Sequence, residues 1–206
     1  MKIIPSIASA NQCNLENEIK RIGHRYENLH IDIEDGNFIS NITFGIKTIK
    51  QIREITDKSF SAHLMVTNPE KYIEELSSLN CSHIFIHVEG IVYLMDLINK
   101  IKSKGIKAGI ALNPISNISN YDYILEQVDS ILFMTSEPDN NNQLFNKKVL
   151  DKIDLKLLND KVELWADGGI KERHLDMLKE KKIEYVVMGR EIFKSKSPEE
   201  IFEKYN

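Results

Sequence analysis

Apolar residues along the 206-residue chain follow two rhythms that take turns. Short runs such as KIIPSIA (2–8), SFSAHLM (59–65), CSHIFIHVE (81–89), KAGIALNP (107–114), SILFMT (130–135), VELWADGG (162–169) and YVVMG (185–189) have the length and composition of buried strands. A further run alternates Leu29, Ile31 and Ile33 with His30, Asp32 and Glu34, the period of two that sends neighbouring side chains to opposite faces. Between the strands, apolar residues recur at helical spacing over 15–26, 46–55, from Pro69 onward, and over 93–103, 121–127, 147–158, 173–180 and 198–205. Local signals agree with these bounds: Asn14 suits a helix N-cap, Pro69 a first helical turn and Gly105 a helix stop.

Strands and helices in strict alternation predict a parallel sheet, and eight such units in so short a chain predict a closed (β/α)8 TIM barrel, one domain over residues 1–206. An open doubly wound sheet is the competing architecture, but no GxGxxG follows the first strand, where a nucleotide site on such a sheet needs it. The one loop of unusual composition, SEPDNNNQ (136–143), falls where the sixth strand-to-helix loop belongs.

The alternation in HIDIED puts three polar groups on one face of a buried strand, a costly arrangement unless they are paired or bind a cation or substrate. A barrel collects its chemistry at the C-terminal ends of its strands. Ser6 ends the inward face of the first strand there, His30 and Asp32 that of the second, His63 and Met65 that of the third, and Asp167 that of the seventh. A lone strand histidine is more often a satisfied core group than a ligand, but two histidines and two aspartates at one mouth suit a divalent metal. Imidazole with carboxylate favours zinc, iron(II), manganese or cobalt. His87 and Glu89, at the end of the fourth strand, are expected to orient a ligand rather than to bind metal. His24 and His174 are expected on surface helices, and His83 at the opposite end of its strand.

Composition narrows the partners. With 42% hydrophobic residues, 28% charged residues and a formal charge of −4, the chain has the balance of an ordinary globular protein and no basic surface for nucleic acid. No apolar run approaches the roughly 20 residues that span a bilayer, and the start lacks the apolar core of a signal peptide, so a cytoplasmic protein is expected. Cys13 and Cys81 stand far apart without a CxxC pair and are expected to be reduced and structural.

The strings PSIASA, HIDIEDGNFISNITFG, AHLMVTNPE, HVE, LNP, MTSEP, ADGGI and GREIF resemble, in order and spacing from Ile4 to Phe193, the ribulose-phosphate 3-epimerase family of phosphate-binding barrels. The resemblance implies one divalent metal ion, zinc first and Fe2+, Mn2+ or Co2+ as alternatives, held by His30, Asp32, His63 and Asp167. It implies that Asp32 and Asp167 act as acid and base on opposite faces of C3 of a ketose phosphate. It also implies that Ser6, Met65 and Met134 line the substrate. Glu34 stands where the family usually has a third methionine and is expected to meet a substrate hydroxyl. The usual sixth loop, PGFGGQ, reads PDNNNQ here, so any backbone cradle for phosphate falls to Asn141 and Asn142, with Gly168, Gly169 and Gly189 matching the family. Arg190, in place of a usual serine, offers a bidentate phosphate contact, and Trp165 and Arg190 are expected to reshape the cavity.

Those departures point to a divergent subgroup. The default substrate pair is ribulose 5-phosphate and xylulose 5-phosphate, with a hexulose phosphate such as allulose 6-phosphate as rival. A catalytically silent sugar-phosphate-binding barrel is the alternative from another class. A metal-independent lyase would need a lysine among the strand-end acids, and HIDIED has none. Relatives commonly assemble as dimers or larger rings, so a homo-oligomer is expected.

Overall fold

The computed structural model describes residues 1–138 and 144–205. Eight parallel strands, β1 (Lys2–Pro5), β2 (Asn28–Glu34), β3 (Ser59–Met65), β4 (Cys81–His87), β5 (Lys107–Leu112), β6 (Ser130–Met134), β7 (Glu163–Asp167) and β8 (Tyr185–Met188), form one sheet in the order β1-β8-β7-β6-β5-β4-β3-β2. A parallel bridge between Ser6 and His30 joins β1 to β2 and brings the sheet's two edges together. This is the (β/α)8 TIM barrel that the alternation predicts.

Helices α1 (Leu15–Arg21), α2 (Ile46–Ile55), α3 (Glu70–Ser77), α4 (Leu94–Ser103), α5 (Asp122–Leu125), α6 (Leu175–Glu180), α7 (Arg190–Phe193) and α8 (Pro198–Tyr205) lie between and after the strands. The apolar residues sort into two cores. One is the layer between strands and helices, where Leu29, Ile31 and Ile33 of β2 meet residues such as Ile49 and Ile52 of α2. The other fills the barrel itself with Ile4, Phe85, Ala111, Leu132, Met134, Trp165 and Val187. Gly109 leaves room in that interior, since a Cβ there would lie 2.3 Å from the Phe85 ring. With helices outside and side chains inside, β2 is buried along its whole length, polar residues included.

Three stretches differ from the sequence pattern. The first helix stops at Arg21 rather than near residue 26, because Gly23 takes a φ of +75° against Glu199 and turns the chain toward β2. That leaves His24 exposed in a connecting bend, not on a helix. The stretch 147–158 forms two 3-10 segments, Lys147–Lys152 and Leu155–Leu157, in place of a helix. The Asn146 side chain accepts from Lys148 N, and Asp154 accepts from Lys156 N, so each side chain starts its own short turn. The extra helix α7 follows β8 directly through Gly189. No helix among the described residues is long and apolar enough to cross a membrane.

The N-terminal end of the barrel is closed by a polar cluster. Glu163 Oε2 lies 2.7 Å from His83 Nε2, its Oε1 accepts from Lys107 Nζ at 2.5 Å, and Trp165 stacks on Tyr185 beside it. Burial pushes the Glu163 carboxyl up, but the bonds from His83 and Lys107 outweigh it and hold the group at about 2, below its ordinary 4.5. A depressed folded-state value stabilises the fold above the unfolded value near 4.5, and that stabilisation is lost as pH falls through about 2. Glu163→Gln is therefore expected to lower stability by about 2 kcal/mol at pH 7. In urea titrations the difference from wild type should shrink steadily below pH 4.5; a difference that stays constant down to pH 2 would show that the charge is not its source.

Candidate active site

The parallel register of β2 and β3 sets Asp32 beside His63 and Glu34 beside Met65, and the register of β6 and β7 sets Met134 beside Asp167. With the Ser6–His30 bridge, these pairings bring the inward-facing polar residues of four strand ends to one mouth. One ligand-type atom each from His30, Asp32, His63 and Asp167 lies within 4.8 Å of the other three. His63 Nδ1 is 3.1 Å from Asp32 Oδ1 and 4.0 Å from Asp167 Oδ2. His30 Nε2 is 3.4 Å from Asp32 Oδ1 and has no hydrogen-bond partner although it is buried, while its Nδ1 lies 2.8 Å from Ser61 Oγ. A buried imidazole nitrogen set beside carboxylate oxygens is a donor that could serve a cation. The donor set of two imidazoles and two carboxylates fits such an ion.

Asp32 is tied down further. The Ser6 hydroxyl donates to Oδ2 at 2.7 Å and the Thr43 hydroxyl to the main-chain carbonyl at 2.6 Å. Burial raises both aspartates, yet they part company. His30 above all overcomes the burial of Asp32 and holds it far below the usual carboxylate range, whereas burial and then the Asp32 charge push Asp167 up to about 7. Burial lowers His63 to about 4, so its ring is neutral.

A cavity of about 1440 Å³ opens over this cluster. Ser6, Asp32, Glu34, Met65, Met134 and Asp167 line its inner part, with His30 and His63 buried behind them. Gly168, Gly169, Gly189 and Arg190 line the part beyond, on the seventh and eighth loops. Glu34 is almost fully buried and its Oε2 accepts from Asn41 Nδ2 at 2.7 Å. Asn141 and Asn142 lie outside the described residues. Trp165 does not reach the cavity wall; it is 1% exposed and fills the barrel below, against Phe85 and His83. His174 lies in the 3-10 turn Glu172–His174 at the cavity rim, stacked on Phe145, rather than on a surface helix.

Sequence reading missed Ser61, Thr43 and Asn41, which hold His30, Asp32 and Glu34. Ser61 was within reach of the strand pattern, since it precedes His63 by two on the same face. Thr43 and Asn41 return to β2 through a loop whose path no periodicity encodes.

The ribulose-phosphate 3 epimerase family model matches residues 2–193. The chain belongs to the ribulose-phosphate 3-epimerase family. Curated ribulose-phosphate 3-epimerases agree along nearly the whole length. That of Bacillus subtilis is 31% identical over 94% of this chain and 92% of its own, and that of Synechocystis is 34% identical over 93% and 86%. The family is one of carbohydrate epimerases, isomerases by class. Solved structures carry the fold much further than the sequence. The 3-hexulose-6-phosphate synthase of Salmonella typhimurium superposes with a TM-score of 0.72 over 100% of this chain and 96% of its own at 14% identity. A mutant tryptophan synthase alpha-subunit of Pyrococcus furiosus reaches 0.69 over 99% and 96% at 12%.

Gly168 ties the cluster to the outer cavity. Its φ is +114°, and a Cβ there would lie 2.5 Å from the main-chain nitrogen of Ser136, which cannot swing aside. Gly90 has a φ of +81° with nothing within 4 Å. Gly168→Ala is therefore expected to cost about 3 kcal/mol and Gly90→Ala about 1 kcal/mol. Thermal denaturation of the two variants checks the order, and equal losses would mean that the Ser136 contact relaxes freely.

Proposed function

We propose that the protein is a metal-dependent epimerase that inverts C3 of a ketose phosphate, with D-ribulose 5-phosphate and D-xylulose 5-phosphate as its default pair. The observation that carries the reading is the convergence of His30, Asp32, His63 and Asp167 at the mouth of a barrel of this family. Inversion needs one group to take the C3 proton and another to return a proton to the opposite face, so two acids must hold opposite protonation states at the same moment. Asp32, held charged by its neighbours and aimed by Ser6, is the base in one direction. Asp167, raised by burial and by Asp32, is then the acid, and the roles exchange in the reverse reaction.

His30, Asp32, His63 and Asp167 would hold a divalent cation, zinc first among the candidates. Such an ion supplies Lewis-acid stabilisation of the negative charge that develops when a proton next to a carbonyl leaves. Met65 and Met134 contribute an apolar wall that keeps water from the reacting carbon. Gly168, Gly169, Gly189 and Arg190 are the proposed phosphate end, and Glu34 the proposed contact for a substrate hydroxyl. A hexulose phosphate is the rival substrate because the cavity extends well past the cluster.

Exchange of the C3 proton with deuterated water, followed by NMR over a panel of pentulose and hexulose phosphates, tests the chemistry and ranks the substrates. Asp32→Asn and Asp167→Asn are each expected to lower exchange by at least about 10³-fold with the fold retained. Near-normal exchange in either variant would contradict the two-acid mechanism. Binding of a sugar phosphate without exchange in the wild type would favour a silent barrel instead.

A further inference from the structure

Behind the cluster, a second set of polar groups runs across the strand ends into the fourth and fifth loops. His63 Nε2 lies 2.9 Å from His87 Nε2, and His87 Nδ1 lies 2.9 Å from Glu89 Oε2. The other Glu89 oxygen accepts from the Asn113 main-chain N–H at 2.9 Å and from the Ser116 hydroxyl. Phe38 covers the His87 ring, with centroids 4.8 Å apart. Every atom of the row is thus engaged on both sides.

Such a row has a direction. A neutral imidazole carries one N–H and one lone pair, and a carboxylate only accepts. A neutral His87 beside Glu89 therefore carries its proton on Nδ1, which leaves His87 Nε2 as an acceptor. The contact of 2.9 Å between the two rings then requires the proton of His63 on Nε2. The lone pair of His63 is left on Nδ1, the atom that faces Asp32 at 3.1 Å and Asp167 at 4.0 Å. A lone pair facing the Asp32 carboxylate becomes attractive around a cation.

We propose that Glu89 is a positioning residue: through His87 it fixes the tautomer of His63 and so makes His63 Nδ1 a cation ligand. This rests on the reading of the cluster as a cation site. Glu89 is suited to the task because its three bonds, from His87, Ser116 and the Asn113 amide, outweigh its partial burial and keep it charged. The polar partner of a ligating histidine commonly sets which ring nitrogen binds.

Glu89→Gln reverses the row without changing its shape. The fixed Asn113 N–H holds the amide oxygen on its own side, so the amide nitrogen turns to His87 Nδ1, which must then accept. His87 Nε2 becomes a donor, His63 Nε2 an acceptor, and the His63 proton moves to Nδ1, in the way of a cation. Ser116→Ala removes one bond to Glu89 and leaves the direction of the row intact.

The experiment measures Zn2+ affinity of the purified full chain by competition with a chelating dye, for wild type, Glu89→Gln, Ser116→Ala and Asp32→Asn, with circular dichroism as the check on folding. Glu89→Gln is expected to bind Zn2+ about 10- to 100-fold more weakly and Ser116→Ala within about threefold of wild type. Ring 15N NMR of the zinc-loaded wild type is expected to show His63 bound through Nδ1 and His87 protonated on Nδ1, a readout that needs no variant to fold. Equal Zn2+ affinity in Glu89→Gln and wild type, equal losses in Glu89→Gln and Ser116→Ala, or His63 bound through Nε2 would each overturn the proposal. Wild type binding no more tightly than Asp32→Asn would overturn the cation site itself, and the relay with it.

Discussion

A buried carboxylate that must stay charged is the constraint around which this barrel is built. Asp32 sits inside the sheet, where an isolated charge is costly, and two neighbours offset that cost at its carboxylate: Ser6 and His30. These ties come from the end of β1 and from β2 itself, while Thr43, in the loop after β2, holds the main chain of Asp32. Ser6 does double service, since it bonds Asp32 through its hydroxyl and closes the sheet against His30 through its backbone. The seam of the barrel and the floor of the candidate site are thus one structure, and whatever loosens one loosens the other.

The two ends of the barrel show how the same residue types diverge with their surroundings. At the N-terminal end Glu163 meets a lysine and a histidine, and its carboxyl is pulled down and held in a closed, satisfied cluster. At the C-terminal end Asp167 meets another carboxylate, and its carboxyl is pushed up. The first arrangement is complete without any visitor. The second gathers His30, Asp32, His63 and Asp167 around one spot, a set of two imidazoles and two carboxylates that could hold a cation. That difference, rather than the count of acids and histidines at either end, separates a structural plug from a reactive mouth.

Most of the fold was legible because strand alternation and helix periodicity report burial, and burial is what a two-core barrel imposes on nearly every element. The bounds of α2 and β3 follow from Ile46 to Ile55 and from SFSAHLM with no correction. The stretch 147–158 was misread because Val149, Leu150 and Ile153 are buried at helical spacing in a segment that is not an α-helix. There the side chains of Asn146 and Asp154 bind the backbone and restart it, a competition that apolar spacing does not register. His30, Asp32, His63 and Asp167 were legible for a related reason. A residue's place on a strand fixes both its face and its depth, so four strand ends in one barrel converge by topology. Which nitrogen of His63 faces Asp32 was not legible, because it depends on ring rotation and on partners from two later loops.

The floor and the rim of the cavity answer to different constraints, and this separates reaction from substrate. The floor is cross-linked along strands by bonds of 2.6 to 3.1 Å at Asp32, His63 and His87, so its geometry is inherited with the barrel. The outer wall takes residues from the sixth, seventh and eighth loops, from α7 and from α8. Gly189 is packed so closely on Ser9 that a Cβ would lie 2.2 Å from its hydroxyl, and Gly168 is held as tightly on Ser136. Both glycines are thus held against neighbouring loops with no room for a side chain. Glu34 stands apart from the wall, in the floor itself on β2, two residues after Asp32. A buried carboxylate at that position adds charge as well as volume to the floor of the cavity.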